Sequence, residues 1–309
     1  MNKKVLCIHY SQSGQLTEMV ENFTNQLTNC EIEYHKIEPK NDFPFPWTTD
    51  VFFDTMPETV MEIPVELKPI DYKYDQYDLI ILGYQPWFLS PSLPASSILK
   101  DETFKTKLAN TPIITIIGSR NMWLNSQESV KKLIADAKGK LVGNIAMVDR
   151  ANNLIGVITI LHWMLTGQKT RKWGIFPIPG ISKEDIKSLS KFGDITNNFL
   201  QAGNLKELQP AIIQEGGVNV DTSILFIESK AKRIFKIWVS IINKKSKQGK
   251  RTFWVNAFKY YLLFVLFIVS PILLTLYYIL IFPFTQSKLK RIKQYFQQVE
   301  LYKENGFKD

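Results

Sequence analysis

A turn near the start of the chain has the residue types that bind a phosphate group. Residues 5–20 read VLCIHYSQSGQLTEMV, so an apolar run ends in a Ser- and Gly-containing turn and a helical pattern follows at once. Amides at a helix N-terminus attract anions, and glycine allows close backbone approach. The turn has no Lys or Arg, and the GxxxxGK[ST] and GxGxxG fingerprints of ATP and dinucleotide sites are absent. Neutral donors of this kind suit a singly esterified phosphate.

Two further loops carry aromatic and polar side chains directly after apolar runs. Gly83–Phe88 (GYQPWF) follows the run at 78–84, and Gly118–Trp123 (GSRNMW) follows the run at 112–118. Trp87 can supply an aromatic face for stacking, and Arg120 can reach polar atoms of a ring. Loops at the carboxyl ends of parallel strands meet at one edge of the sheet. We therefore expect the three loops to form one site.

Five strands and three helices are predicted to position these loops. The runs DLIILGY and PIITIIG are continuously apolar, which is typical of central parallel strands. The pattern predicts an α/β fold, a doubly wound five-stranded parallel sheet. Strands are predicted at Val5–Tyr10, Glu31–Ile37, Asp78–Tyr84, Pro112–Gly118 and Leu141–Val148, and helices at Leu16–Leu27, Ser126–Lys138 and Glu184–Leu200.

Two insertions interrupt this minimal pattern. Residues 39–72 are rich in Pro and aromatics, and residues 152–180 contain an apolar segment, Leu154–Leu165, followed by a basic turn, Lys169–Lys172. Long loops in compact domains usually serve function. We expect Phe43–Met56 and the apolar segment to border the site and to form an entrance for a long alkyl chain.

The three loops together resemble the FMN-binding loops of the flavodoxin family. The stretch YSQSGQ resembles the phosphate loop, and the other two loops resemble those that clasp the isoalloxazine ring. The resemblance covers about residues 3–200 without the insertions and implies a flavodoxin-like fold with bound FMN; no role is expected for the Thr17 hydroxyl. The implied cofactor contacts are Ser11, Gln12, Ser13, Gly14, Gln15, Leu16, Gln85, Pro86, Trp87, Phe88, Ser119, Arg120, Asn121, Met122 and Trp123.

Positive charge is concentrated in the C-terminal part of the chain. The net charge is +9, yet residues 229–309 contain 16 Lys or Arg against 3 Asp or Glu, so the remainder is acidic. Such asymmetry indicates an anionic partner, and the aromatic and aliphatic character of the tail favours a lipid surface over nucleic acid. Apolar residues of 224–242 share one helical face beside several Lys and Arg, which predicts a basic amphipathic helix on an anionic membrane.

The segment Tyr260–Ser287 predicts membrane attachment. Its 28 consecutive residues are uncharged, whereas about 20 apolar residues are enough to span a bilayer. Both flanks are basic, which favours the cytoplasmic side for both, and Ser270-Pro271 lies near the middle, where proline breaks a helix. These features favour a hairpin of two half-helices over a single tilted span.

The predicted organisation has three parts. Residues 1–203 form the FMN-binding domain, 204–257 a linker and the amphipathic helix, and 258–309 the membrane hairpin or span with a basic tail. The apolar run after Lys4 is too short for a signal peptide, so the domain is expected in the cytoplasm, attached to the cytoplasmic membrane by its tail. Cys7 and Cys30 lack metal-ligand spacing, so no metal site is expected.

The whole pattern is similar to a narrower group, the dialkylresorcinol-condensing enzymes of flexirubin-type pigment biosynthesis. YSQSGQ, GYQPWF, SRNMW and the apolar tail carry that resemblance. It implies FMN-dependent oxidative aromatisation of a dialkyl-cyclohexanedione to a dialkylresorcinol. The partners it implies are a ketosynthase, an acyl carrier protein and a lipid-like alkyl substrate.

The sequence does not identify a catalytic base. His9 and His35 fall in predicted strands and are expected to be structural, which leaves His162 and Tyr84 as candidates. Two other functions stay open. One is a membrane-associated NAD(P)H:quinone oxidoreductase of the same fold, and the other is a flavin-free membrane scaffold protein.

Overall fold

The computed structural model describes residues 2–301. Met1 and the end of the predicted basic tail, 302–309, lie outside the described residues.

Five parallel strands form the central sheet in the order β2-β1-β3-β6-β7. With the two strands of a small side hairpin set aside, this is the order 2-1-3-4-5 of the flavodoxin-like doubly wound fold, so the predicted fold class is confirmed. The predicted strands agree with the observed ones to within two residues at each end. The strands are β1 (Lys3–His9), β2 (Cys30–Lys36), β3 (Leu79–Tyr84), β6 (Pro112–Ser119) and β7 (Lys140–Val148), and the side hairpin is β4 (Pro86–Trp87) with β5 (Ser90–Pro91).

Helices cover both faces of the sheet, which is why its central strands are apolar throughout. Every residue of β3 is buried, and β3 lies between β1 and β6. The helices of the α/β part are α1 (Gln15–Thr24), α2 (Thr49–Asp54), α3 (Met56–Met61), α4 (Leu93–Lys100), α5 (Glu102–Leu108), α6 (Leu124–Asp136), α7 (Asn153–Thr166), α8 (Lys183–Gln201) and α9 (Leu208–Gln214). Helix α1 packs beside α8, and α4 packs beside α6.

The C-terminal part is helical, with α10 (Thr222–Ser246), α11 (Arg251–Phe264), α12 (Ser270–Leu280) and α13 (Phe282–Gln297). The predicted amphipathic helix α10 exists, and part of its apolar face packs against protein. Ile224, Phe235, Val239 and Ile242 are buried. They are covered because α10 packs against α3, α6 and α11. Protein therefore covers part of the predicted face, and its contact with a membrane stays a prediction.

The helix does not break at Pro271. Helices α11 and α12 are joined through a π-helical turn at Val265–Val269, and this turn just before Pro271 accommodates the proline, which lacks a backbone N–H. The hairpin predicted with its break at Ser270-Pro271 is therefore corrected to a continuous helix of 30 residues, Arg251–Leu280. By length and composition this helix could cross a membrane, and only 11% of its most apolar window is buried in protein.

Candidate ligand cavity at the carboxyl ends of the strands

A cavity of about 250 Å³ lies where β1, β3 and β6 end. All three predicted loops contribute to it, and so do both insertions, as the sequence predicted. The loops and the phosphate turn supply Gln12, Ser13, Gln15, Leu16, Met19, Gln85, Pro86, Trp87, Phe88, Gly118, Ser119 and Arg120. The insertions and the segment after α7 supply Phe45, Trp47, Phe52, Ile160, Trp163, Met164, Gly180 and Ile181.

The turn before α1 is held in a fixed shape by its own side chains. Gly14 is the N-cap of α1 with φ 85°, a left-handed conformation that favours glycine. The Ser11 hydroxyl accepts a hydrogen bond from the Leu16 amide at 3.1 Å. The Gln12 side-chain amide donates to the carbonyls of Phe43 (3.2 Å) and Pro44 (2.9 Å). Side chains thus fix the turn, and Gln12, Ser13, Gln15 and Leu16 of this segment line the cavity.

Gln15 joins this turn to the segment that follows the second insertion. Its side-chain amide donates to the Ile181 carbonyl at 2.9 Å and accepts from the Ile181 amide at 3.1 Å. The neighbouring Gly180 amide donates to the Asp149 carboxylate at 3.0 Å. Residues far apart in sequence therefore close one wall of the cavity, and the predicted contact residue Gln15 uses its side chain for this closure.

Aromatic rings pack edge to face around Trp87. Tyr10, Phe43 and Trp47 lie with ring centroids 5.8, 5.1 and 5.3 Å from the Trp87 ring and nearly perpendicular to it. Such packing stabilises each ring pair by about 0.5–1.5 kcal/mol beyond area burial and fixes the ring orientation. One wall of the cavity is therefore rigid and apolar.

Arg120 is the one charged residue in the described lining of the cavity. Burial lowers the pKa of its guanidinium to about 10, and the charge of Asp149 acts in the opposite direction. Its Nη1 atom lies 3.1 Å from the position that a Cβ on Gly156 would take, so the glycine in α7 makes room for the guanidinium. At neutral pH the cavity thus holds a partly buried cation.

Several predicted residues do not line the cavity. Trp123 is 1% exposed and belongs to the core, and Met122 packs on the cluster around Phe53. Asn121, Ser11 and Gly14 border the site without lining the cavity. Met122 and Trp123, predicted as cofactor contacts, do not line the cavity, because the chain turns into α6 there and carries both side chains inward.

Neither candidate base reaches the cavity. Tyr84 is fully buried, and its hydroxyl donates to Gln127 at 2.7 Å. Burial raises its pKa far above the ordinary value. His162 lies on α7 beside the lining residue Trp163 but does not itself line the cavity. Neither residue lines the cavity, and a catalytic role for Tyr84 or His162 stays a prediction.

His9 and Thr17 pair with each other, as a structural role requires. His9 Nε2 and the Thr17 hydroxyl lie 3.0 Å apart. Burial, with a contribution from Lys36, lowers the pKa of His9 to about 4, so the ring is neutral at physiological pH. The Thr17 hydroxyl is thereby occupied within the protein.

Sequence reasoning missed Gly180 and Ile181 entirely. Nothing in the local pattern marks them, apart from the Pro-Gly pair at the end of the second insertion. Gly180 has φ 84°, and a Cβ there would lie 2.7 Å from the Trp163 ring and 2.8 Å from the Gln15 side chain. The position requires glycine because two cavity walls meet there.

Comparison with known proteins gives only distant likenesses. No protein-family model matches the chain, and no curated protein matches it. A flavoprotein in complex with FMN from Lactobacillus acidophilus NCFM is similar at 18% identity, over 47% of this chain and 93% of that chain, with a TM-score of 0.40. A putative flavoprotein from Bacteroides eggerthii is 17% identical over 49% of this chain and 91% of that chain, with a TM-score of 0.38. A flavodoxin from the domain Archaea is 11% identical over 64% of this chain and 99% of that chain, with a TM-score of 0.35. The strand order, rather than these likenesses, establishes the flavodoxin-like fold.

Proposed function

We propose that this chain binds FMN in the cavity and uses it as a flavin-dependent oxidoreductase on an apolar substrate. One observation carries the proposal. A neutral helix N-terminus and an aromatic cavity with one partly buried cation meet where β1, β3 and β6 end. In doubly wound sheets of this strand order, that edge is where FMN binds.

The residues present fit the chemical parts of FMN. Amides at the start of α1 and the Ser13 hydroxyl suit a dianionic phosphate. Trp87 and Phe88 suit the flat apolar ring system, and Gln85 and Arg120 suit its polar edge. When bound, FMN would supply the capacity to accept a hydride, which no amino-acid side chain has.

The first test separates recognition of the phosphate from recognition of the ring. Ser13→Glu places a negative charge at the phosphate position, and Ser13→Gln is the neutral control of equal size. We expect Ser13→Glu to weaken FMN binding by roughly tenfold or more, since one unfavourable charge contact of about 1.4 kcal/mol already gives that factor. Binding of riboflavin, which has no phosphate, should be unchanged. Quenching of flavin fluorescence measures both. Purified protein that binds neither flavin would refute the proposal.

The finer proposal is oxidative aromatisation of a dialkyl-cyclohexanedione to a dialkylresorcinol, which removes two hydrogens. One leaves as a proton and one as a hydride, and an external two-electron acceptor must then reoxidise the cofactor. No His, Asp, Glu, Lys, Tyr or Cys lines the cavity among residues 2–301. A 1,3-dione is itself a carbon acid, so its proton can pass to water while Arg120 stabilises the enolate oxygen.

Activity with the dione tests this finer proposal. Purified protein with FMN, an electron acceptor and the cyclohexanedione should yield the resorcinol, detected by mass spectrometry. Arg120→Gln should lower the rate roughly 100-fold, as expected for the loss of one oxyanion-stabilising group. Arg120→Lys keeps the positive charge and should retain part of the rate that Arg120→Gln loses. Failure to form any resorcinol with flavin bound would refute the aromatisation and leave the flavoprotein proposal intact.

The absence of an acid–base side chain in the described lining also favours a second candidate, an NAD(P)H:quinone oxidoreductase. Hydride transfer to a quinone needs only the cofactor and a polar group at the carbonyl, and Arg120 supplies that group. Rapid reduction of the bound flavin by NAD(P)H in stopped-flow measurements would support this function.

A colourless protein that takes up no FMN would instead support a membrane scaffold. A ketosynthase and an acyl carrier protein are the partners that the aromatase would need.

A further inference from the structure

The segment after α7 exposes apolar side chains that a folded protein normally buries. We call residues 167–180 the aromatic–basic loop. Trp173, Ile175 and Ile178 are 75, 76 and 52% exposed, and the ring of Phe176 lies 5.7 Å from that of Trp173. At the end of α7, Leu165 is exposed as well. Clustered exposure of large apolar side chains marks a surface that contacts a partner or a membrane.

Positive charges surround these apolar side chains. Arg171 is exposed, and the Lys172 ammonium lies 4.9 Å from the Trp173 ring. Lys169 lies 5.0 Å from the ring of Trp163. The stretch 167–180 contains three Lys or Arg and no Asp or Glu. An apolar tip with a basic rim is complementary to the interface of an anionic bilayer, where tryptophan and lysine are favoured.

The loop ends at the cavity. Gly180 and Ile181 line it, and so does Trp163 at the other end of the loop. The loop therefore connects an exposed apolar surface to the wall of the cavity.

A chain of contacts links the loop to the long apolar helix. The Trp47 amide donates to the Met164 carbonyl at 2.8 Å, and Trp47 contacts Phe52 with ring centroids 5.6 Å apart. Phe52 contacts Phe53 at 5.2 Å, and Phe53 contacts Phe258 of α11 at 6.3 Å. The first insertion thus links the end of α7, after which the loop begins, to the long apolar helix.

We propose that the aromatic–basic loop inserts into the interface of an anionic membrane and is a second lipid contact, separate from the C-terminal helix, at the mouth of the cavity. This contact does not depend on the flavin. Its use for substrate entry rests on the proposed function, whereas its existence does not.

An environment-sensitive label on the loop tests the proposal. Ile175→Cys in a Cys30→Ser background leaves one accessible thiol, because Cys7 is fully buried. The label is NBD, and the full chain is placed at one copy per nanodisc of phosphatidylcholine with phosphatidylglycerol. We expect a blue shift, a severalfold gain in NBD emission and quenching by nitroxide-labelled lipid. Asp75→Cys is the control, since Asp75 is exposed at the opposite end of the sheet, before β3, and should show none of these.

The same labelled protein tests whether the loop needs its positive charges and whether lipid or protein covers it. Arg171→Gln with Lys172→Gln should reduce the nitroxide quenching, and so should nanodiscs of phosphatidylcholine alone. Water-like NBD emission in anionic nanodiscs would overturn the proposal. A blue shift without nitroxide quenching would overturn it too, because protein rather than lipid would then cover the loop. Neither result bears on FMN binding, so the two proposals fail separately.

Discussion

Gly180 is the residue on which the wall between the phosphate turn and α7 depends. It combines φ 84° with a Cβ position 2.7 Å from the Trp163 ring and 2.8 Å from the Gln15 side chain. Gly180→Ala should lower the free energy of unfolding by roughly 2–4 kcal/mol, from backbone strain and overpacking together. It should also weaken FMN binding, since Gln15 must move. Urea unfolding and flavin titration measure the two effects.

Gly174→Ala is the matched control for that prediction. Gly174 has φ 73°, but nothing lies within 4 Å of its Cβ position. Only the backbone term of about 1 kcal/mol applies there, and FMN affinity should not change. Equal losses in the two variants would contradict the proposed packing at Gly180.

The residue types at the site were predictable, whereas several of their roles were not. Ser13, Trp87 and Arg120 line the cavity as the loop motifs predicted. Gln15 and Gln12 line it too, but their side chains also hold segments that lie far along the chain. A local pattern indicates which residues lie at a strand end, but it contains no information on which distant carbonyl an amide will meet.

At the scale of elements, Glu228 attaches α10 to the start of α6. Its carboxylate accepts from the Asn125 amide at 2.9 Å, at a helix end that has no side-chain cap of its own. Burial raises the pKa of Glu228 from 4.5 to about 7, against opposing contributions from hydrogen bonds and from Lys232. The folded state therefore holds this proton more tightly than the unfolded state does.

Stability should consequently fall as the pH rises through the window from 4.5 to about 7. The unfolded chain loses the proton first, so the folded state is penalised by roughly 3 kcal/mol once the pH exceeds both pKa values. Glu228→Gln keeps an acceptor for Asn125 and carries no proton to lose. The stability difference between about pH 5 and about pH 8 should shrink by roughly 2–3 kcal/mol in this variant. Urea unfolding in detergent measures it.

Glu207→Gln serves as the control, because Glu207 is exposed. It should leave the pH dependence of stability as in the natural chain. If Glu228→Gln kept the full pH dependence as well, another group would have to carry it.

The periodicity of the sequence predicted the strands and helices, but it did not predict what each helix face packs against. The apolar face of α10 was predictable as a face, yet the same pattern fits a membrane surface and a protein surface equally well. The aromatic cluster of Phe53, Phe235 and Phe258 covers part of this face with protein, because the first insertion folds over α10 and α11. Pro271 led to the wrong prediction of a helix break for a related reason. The π-helical turn before it accommodates the proline, and the local sequence pattern does not reveal that turn.

At the scale of the whole molecule, one face of α11–α12 has no protein cover among the described residues. Phe264, Ile268, Ile272, Leu276 and Leu280 recur every four residues and are all exposed. A helix of 30 residues is about 45 Å long, which exceeds the roughly 30 Å hydrocarbon core. Exposed apolar area of this extent requires a membrane or a partner in the cell.

Two lysines on that face should therefore release the chain from membranes while leaving its fold intact. Ile272 and Leu276 are 57 and 48% exposed, so Ile272→Lys with Leu276→Lys removes little packing. Each lysine near the middle of a spanning helix costs about 2.5–3.5 kcal/mol of insertion free energy, whereas in water it costs almost nothing. We expect the variant to move from the carbonate-washed membrane pellet to the supernatant and still bind FMN.

Gln248→Lys with Gln294→Lys adds the same charge outside the apolar segment and should stay in the pellet. A lysine variant that also stayed there, with FMN bound, would mean that the aromatic–basic loop or a protein partner holds the chain without α12.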